Sequence, residues 1–127
     1  MIYNEEYKIK FYKDSRTGKE PVLNYFKKLD PKTRQKINKY INFLCDSNGY
    51  LDEPYSRHIT GKIRELRIDF FNIRHRILYF AFIEKTIILL NAFAKKTKKT
   101  PFREIQLAEQ RYYDAINNYQ LYENKKS

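Results

Sequence analysis

Gly61–Thr100, GKIRELRIDFFNIRHRILYFAFIEKTIILLNAFAKKTKKT, decides how the rest of the chain is read. β-Branched and aromatic residues fill it in alternating or continuous runs, broken near Phe71–Asn72 and at Glu84–Lys85. Such runs are strands, because branched and aromatic side chains pack well on a pleated surface. The pattern predicts three consecutive strands, Lys62–Asp69, Arg74–Ile83 and Thr86–Lys95. Connections this short join antiparallel neighbours. Arginine and lysine recur along the strands and end in the cluster Lys95, Lys96, Lys98 and Lys99. A sheet that displays cations so densely is suited to meeting phosphate.

Working outward, Tyr7–Tyr12 (YKIKFY) alternates with period two and predicts a first strand at the edge or centre of the same sheet. Pro21 then opens a short helix with Val22, Tyr25, Phe26 and Leu29 on one side. Asp30–Pro31 pairs an N-cap side chain with a proline at the first helical position, so a second helix starts at once. Ile37, Tyr40, Ile41 and Leu44 form its apolar stripe, Lys32, Arg34, Lys36 and Lys39 line the outside, and Gly49 stops it. The apolar side of this helical hairpin needs a broad partner, and the sheet supplies one. Leu51–Thr60 contains Pro54 and keeps no period; it reads as a crossing loop on which His58 is a solvated or structural residue rather than an active group. Thr100–Pro101 repeats the cap-plus-proline device and opens a C-terminal helix with Ile105, Ala108, Tyr112, Ala115, Ile116 and Tyr119 on one side. The fold class is α+β, an antiparallel sheet of about four strands with a two-helix hairpin on one side and a C-terminal helix, in the order β-α-α-β-β-β-α. A single domain, residues 1–121, is followed by a short polar tail, 122–127, which is expected to fray.

Composition narrows the function. With 127 residues and 42% hydrophobic content the chain can build one core. Its formal charge of +11 predicts affinity for a polyanion through counterion release. The longest apolar run, Ile77–Ile83, stops at Glu84–Lys85, well short of the roughly 20 residues a spanning helix needs, so nucleic acid is preferred to membrane. The early residues include two glutamates and no apolar segment of signal-peptide length, which points to the cytoplasm. Cys45 is the single cysteine and reads as a small buried hydrophobe. The two histidines lie far apart and the acids are scattered, so no metal-binding spacing appears, and no metal or cofactor is expected.

Residues two apart in a strand share a face, so Ile63, Glu65 and Arg67 point one way and Arg64, Leu66 and Ile68 the other. Arg74 and Arg76 share a face, and His75 points away from both. A buried unpaired arginine is very costly, so these side chains must reach the rim or find a carboxylate such as Glu65 or Asp69. Guanidinium groups match phosphate oxygens two at a time. Preorganised cations can stabilise the charge that builds on the non-bridging oxygens when an RNA 2′-hydroxyl attacks its own phosphate. Arginine is a poor base and suits charge stabilisation. Lys95 or Lys96, pressed against other cations, can transfer a proton. His75 is a secondary candidate because of its face.

The series GKIRELR, HRILYF and ILLNAFAKKTKKTP followed by EIQLAEQR closely resembles the phage-derived, HigB-like branch of the RelE toxin superfamily, from Pro21 through Arg111. The resemblance implies a RelE-like fold and a toxin of a type II toxin–antitoxin pair. Such a toxin is a metal-independent endoribonuclease that cleaves mRNA, usually on the ribosome. By motif position, the implied catalytic residues are Arg67, Arg76, Lys95 and Lys96. Lys62, Arg64, Arg74, His75, Lys98 and Lys99 are the expected RNA-binding set. The implied partner is a small antitoxin, often with a helix-turn-helix domain. Two departures stand out: Asn91 where many relatives have histidine, and Phe71 where relatives tend to have glycine. A ParE-type gyrase inhibitor on the same fold and a non-catalytic nucleic-acid-binding protein are the competing functions; the density of cations favours the nuclease.

Overall fold

The computed structural model describes residues 7–82 and 85–123. Its elements are β1 (Lys8–Phe11), α1 (Pro21–Lys27), α2 (Pro31–Asp46), β2 (Ser56–Thr60), β3 (Ile63–Phe70), β4 (Ile73–Phe82), β5 (Thr86–Lys95) and α3 (Phe102–Asn117), then a short 3-10 helix at Tyr119–Tyr122. The strands form one sheet in the order β1-β5-β4-β3-β2. β2 to β5 are an antiparallel meander, and β1 adds to β5 in parallel.

The α+β class and the three main strands agree with the sequence pattern; the predicted end of β4, Ile83, lies outside the described residues. Two points differ. The sheet has five strands because Ser56–Thr60, expected to be loop, pairs with β3, and it is mixed because β1 runs parallel to β5. Ser56–Thr60 is a five-residue edge strand that follows Pro54, too short to show a period. β1 sits at the opposite edge, and its parallel direction follows from the path of the intervening helices, which no local pattern encodes.

The α2 start is as expected. Asp30 accepts from the Thr33 backbone N–H (3.2 Å) and from the Thr33 hydroxyl (2.6 Å), and Pro31 occupies the first turn. Its end is set by Gly49, at φ 82°, whose N–H reaches the Leu44 carbonyl at 2.8 Å. A Cβ there would come within 3.2 Å of Ala81 Cβ, so both conformation and space call for glycine.

Each face of the sheet has its own core. α1 and α2 cover one face, where Val22, Phe26, Ile37 and Leu44 meet Leu66, Ile68, Ile77 and Tyr79. Cys45 lies half-buried against this core. α3 covers the other, where Ala108 and Ala115 meet Ile63, Leu78, Phe80, Ile88 and Leu90. Covering on both sides explains why Ile77–Phe80 is an unbroken apolar run. Tyr122, which the polar composition placed at the head of a fraying tail, belongs to the second core. Its hydroxyl accepts from the Lys13 N–H at 3.0 Å, tying the chain end to the segment after β1. Residues 124–127 of the expected tail lie outside the described residues. Among the described residues no helix is long and apolar enough to cross a membrane.

Candidate functional site

α3 covers only part of its face of the sheet. Its first turn reaches Asn91, whose side-chain amide donates to the Glu104 carbonyl at 2.9 Å. Beyond that point charged side chains take over. Arg67 and Arg76 are direct cross-strand partners, Arg74 pairs with Lys95, and Arg57 pairs with Glu65. Alternation puts Arg57, Glu65, Arg67, Arg74, Arg76 and Lys95 on the α3 face, with Arg67, Arg74, Arg76 and Lys95 towards the β3–β4 turn.

Like charges directly opposite one another destabilise a sheet. Glu65 offsets this: it is fully buried, with Oε1 3.9 Å from Arg67 Nε and 4.0 Å from Arg76 Nε. Its other oxygen, Oε2, accepts a short hydrogen bond from the Thr100 hydroxyl. Thr100 was expected to cap α3. Pro101 takes the N-cap place instead, without a side-chain bond, and the hydroxyl crosses to Glu65. The hydroxyl donates to the Glu65 carboxylate, a charge-assisted bond stronger than a neutral one. The result pins the start of α3, and with it the lysine-rich segment 96–99, to the middle of β3.

Arg76 is 2% exposed and paired twice more: Nη1 donates to Asp69 Oδ1 at 2.8 Å and to the His75 carbonyl at 2.9 Å. Asp69 is largely exposed. It therefore holds Arg76 from the solvent side. The Arg67 side chain is 28% exposed and reaches the surface directly. Glu65 Oε1, Arg67 Nε and Arg76 Nε are buried and form no hydrogen bond with the described residues, so the cluster keeps unused donor and acceptor capacity. Lys95 is 6% exposed, and burial pushes its pKa below the ordinary lysine value. Glu65 opposes that shift, while Arg76, Arg67 and Arg57 add to it. An ammonium placed this way gives up its proton more readily than one in water. Among the described residues no group of His, Cys, Asp and Glu is arranged to hold a metal ion.

The structure thus brings together Arg67, Arg76 and Lys95, with Arg74 at the mouth. Lys96, Lys98 and Lys99 follow Lys95 on an exposed turn. Three other residues of the expected set lie elsewhere. Lys62 is in the β2–β3 turn, at the far end of β3. Arg64 faces α2, donating to Ser56 Oγ at 3.1 Å and covering the Tyr50 ring at 4.4 Å. His75 is buried on the α1 face, hydrogen-bonded through Nδ1 to the Tyr25 hydroxyl at 2.9 Å. Burial first, then the Arg76 charge, lowers its pKa. His58 makes a local bond to the Gly61 carbonyl at 2.8 Å, in keeping with a structural role. Sequence reasoning missed Arg57, hidden in the presumed loop, and the Thr100–Glu65 link, whose partners are 35 residues apart.

The sheet, the helical hairpin and the C-terminal helix define the class of protein: an α+β domain of RelE-like architecture. Residues 24–113 match the family described as "Phage derived protein Gp49-like (DUF891)". The chain belongs to this family, a RelE-like family of toxin–antitoxin systems, and membership implies an antitoxin partner. No curated protein matches the chain.

Proposed function

We propose that the chain is a HigB-like toxin that cleaves mRNA by promoting attack of a 2′-hydroxyl on the adjacent phosphodiester. One observation carries the reading: cations from β3, β4 and β5 converge around a single buried carboxylate at an open end of the sheet. Arg67, and Arg76 once Asp69 yields, would contact the non-bridging oxygens and stabilise the charge that develops on them. The 2′-oxygen–phosphorus bond forms as the phosphorus–5′-oxygen bond breaks. The proton leaves the 2′-hydroxyl and one is delivered to the departing 5′-oxygen. Lys95, with its lowered pKa, is suited to one of these transfers. Arg74, Lys96, Lys98 and Lys99 would hold flanking phosphates, and translating mRNA on the ribosome is the proposed substrate. Glu65 acts through the arginines, holding two like charges side by side. An antitoxin with a helix-turn-helix domain would complete the system.

The test is induction followed by mapping of transcript ends, with Arg67→Ala beside wild type. Arg67 is the better choice because Arg76 is buried and its loss would strand Glu65. New ends within translated regions, lost in the variant, support the reading. Growth arrest with altered DNA supercoiling and no new ends would transfer the chain to the gyrase inhibitors. RNA binding with no cleavage would leave it a binding protein.

A further inference from the structure

The turn between β3 and β4 holds an unusual residue. Phe71 and Asn72 have φ of 51° and 62°, the two left-handed positions of a type I′ hairpin turn. Asn, Asp and Gly are the usual occupants, because a side chain in this region crowds the following carbonyl. A bulky aromatic residue is strained there. Burial does not hold Phe71 in place, since it is 69% exposed, and Ile73 beside it is 45% exposed. Conformation and hydration both oppose a phenylalanine at this position. A residue kept against both is a candidate for contact with something outside the chain.

The surroundings indicate what that is. The Phe71 ring packs on Phe70 at a centroid separation of 4.4 Å. Lys36 Nζ lies 5.7 Å from the Phe70 centroid and 5.4 Å from that of Tyr40. Tyr40 in turn lines a groove of about 400 Å³ with Phe43 and Tyr55. Just inside the turn Arg74 lies between Asp69 and Lys95 on the α3 face, whereas the Phe70 ring that backs Phe71 lies on the α2 face under Lys36, so Phe71 stands at the rim where the cationic cluster and Lys36 meet the turn from opposite faces. Exposed rings interleaved with cations make up single-strand nucleic-acid surfaces, rings for the bases and cations for the phosphates.

We propose that Phe71, backed by Phe70, is the platform on which an unpaired base of single-stranded RNA stacks while Arg67, Arg76 and Lys95 hold the neighbouring phosphate. The occupant is a nucleobase rather than a peptide because the turn lies between Lys36, over the backing Phe70 ring, and Arg74 at the end of the cationic cluster, and these cations take phosphate as counter-charge. This rests on the RNA reading of the cationic site.

The experiment titrates a fluorescently labelled single-stranded oligoribonucleotide into the full chain at fixed salt and follows thermal unfolding of each variant in parallel. Phe71→Asn relieves the backbone and removes the ring. It should weaken binding about tenfold while leaving the unfolding midpoint unchanged or higher. Phe71→Trp should retain binding. Phe71→Leu, strained and apolar but without a planar ring, should bind as weakly as the Asn variant. If Phe71→Leu binds like wild type, the turn is merely an apolar contact for a protein, and stacking is overturned. If Arg67→Ala weakens binding and Phe71→Asn does not, stacking fails while the RNA reading stands. If wild type shows no salt-dependent binding at all, both fail together.

Discussion

Two stretches of β4 share a face of the sheet and end in opposite circumstances. At Leu78 and Phe80 the face is sealed by α3, through Ala108, Ala115 and Tyr112, and both residues are at most 1% exposed. At Arg76 the exposure is nearly as low, 2%, but the neighbours are Glu65, Arg67 and Asp69. One strand therefore carries an apolar half, which holds the fold, and a charged half, whose buried arginine is paired with carboxylates. Burial alone does not separate the two. What separates them is whether the buried atoms have finished their interactions: the apolar half has, whereas Arg76 Nε in the charged half, with Glu65 Oε1 and Arg67 Nε on the neighbouring β3, has not. Incomplete satisfaction of this kind is what a binding site can use.

The comparison can be broken at either end. The largest effect is expected at Lys95: Lys95→Arg keeps the charge but cannot exchange a proton, so cleavage should fall about a hundredfold or more while RNA binding persists. Because burial lowers the Lys95 pKa, the wild-type rate should change slope at a pH below the ordinary lysine value, and the arginine variant should show no such change. Single-turnover rates across pH measure both. Equal rates would reduce Lys95 to a fixed charge.

At the apolar end, Leu78→Ala should cost about 3 kcal/mol in a denaturant titration, with cleavage per folded molecule intact. A Leu78 variant that loses activity without losing stability would erase the division between the halves. Next in size, Asp69→Asn removes the exposed carboxylate that holds Arg76 from the solvent side. RNA affinity at low salt should then rise roughly two- to fivefold, and less at high salt. A fall in affinity would make Asp69 a support for Arg76 rather than a competitor of phosphate.

The smallest effect concerns the opposite face. The folded pKa of His75 lies below its ordinary value of 6.5, chiefly through burial. The unfolded chain therefore takes up a proton first as pH falls. The stability associated with neutral His75 is present above about 6.5 and is lost as pH drops towards the lower folded pKa. His75→Gln, measured by thermal unfolding between neutral and mildly acidic pH, should flatten that loss. A variant as acid-sensitive as wild type would place the acid sensitivity elsewhere.

Much of this arrangement was legible in the residues. β5 was delimited as observed, Asp30–Pro31 marked the start of α2, and alternation separated Arg67 and Arg76 from Arg64 and His75. The less legible parts share one feature, namely that the partner is distant. Arg57 reaches the charged face because a short edge strand pairs with β3, and nothing in SRHIT alone indicates that pairing. Thr100 looked like a cap because Thr-Pro is a good local start signal, yet its hydroxyl goes to Glu65. Tyr122 looked like part of a tail because its neighbours are polar, yet its ring is buried beside Tyr12.

By itself, then, the sequence determined four of the five strands, the helices, the face on which each side chain of those strands falls and the excess of positive charge. Periods of two and 3.6 residues, capping chemistry and composition are local properties, and each can be read from neighbouring residues. The tertiary structure alone decided which cations meet, which of them are buried, and which carboxylate lies between them. Those outcomes depend on strand order and on where α3 begins, and they are settled by the cost of leaving a charge without a partner away from water. That cost is why Glu65, an ordinary strand residue in the sequence, stands at the centre of the cationic cluster in the fold.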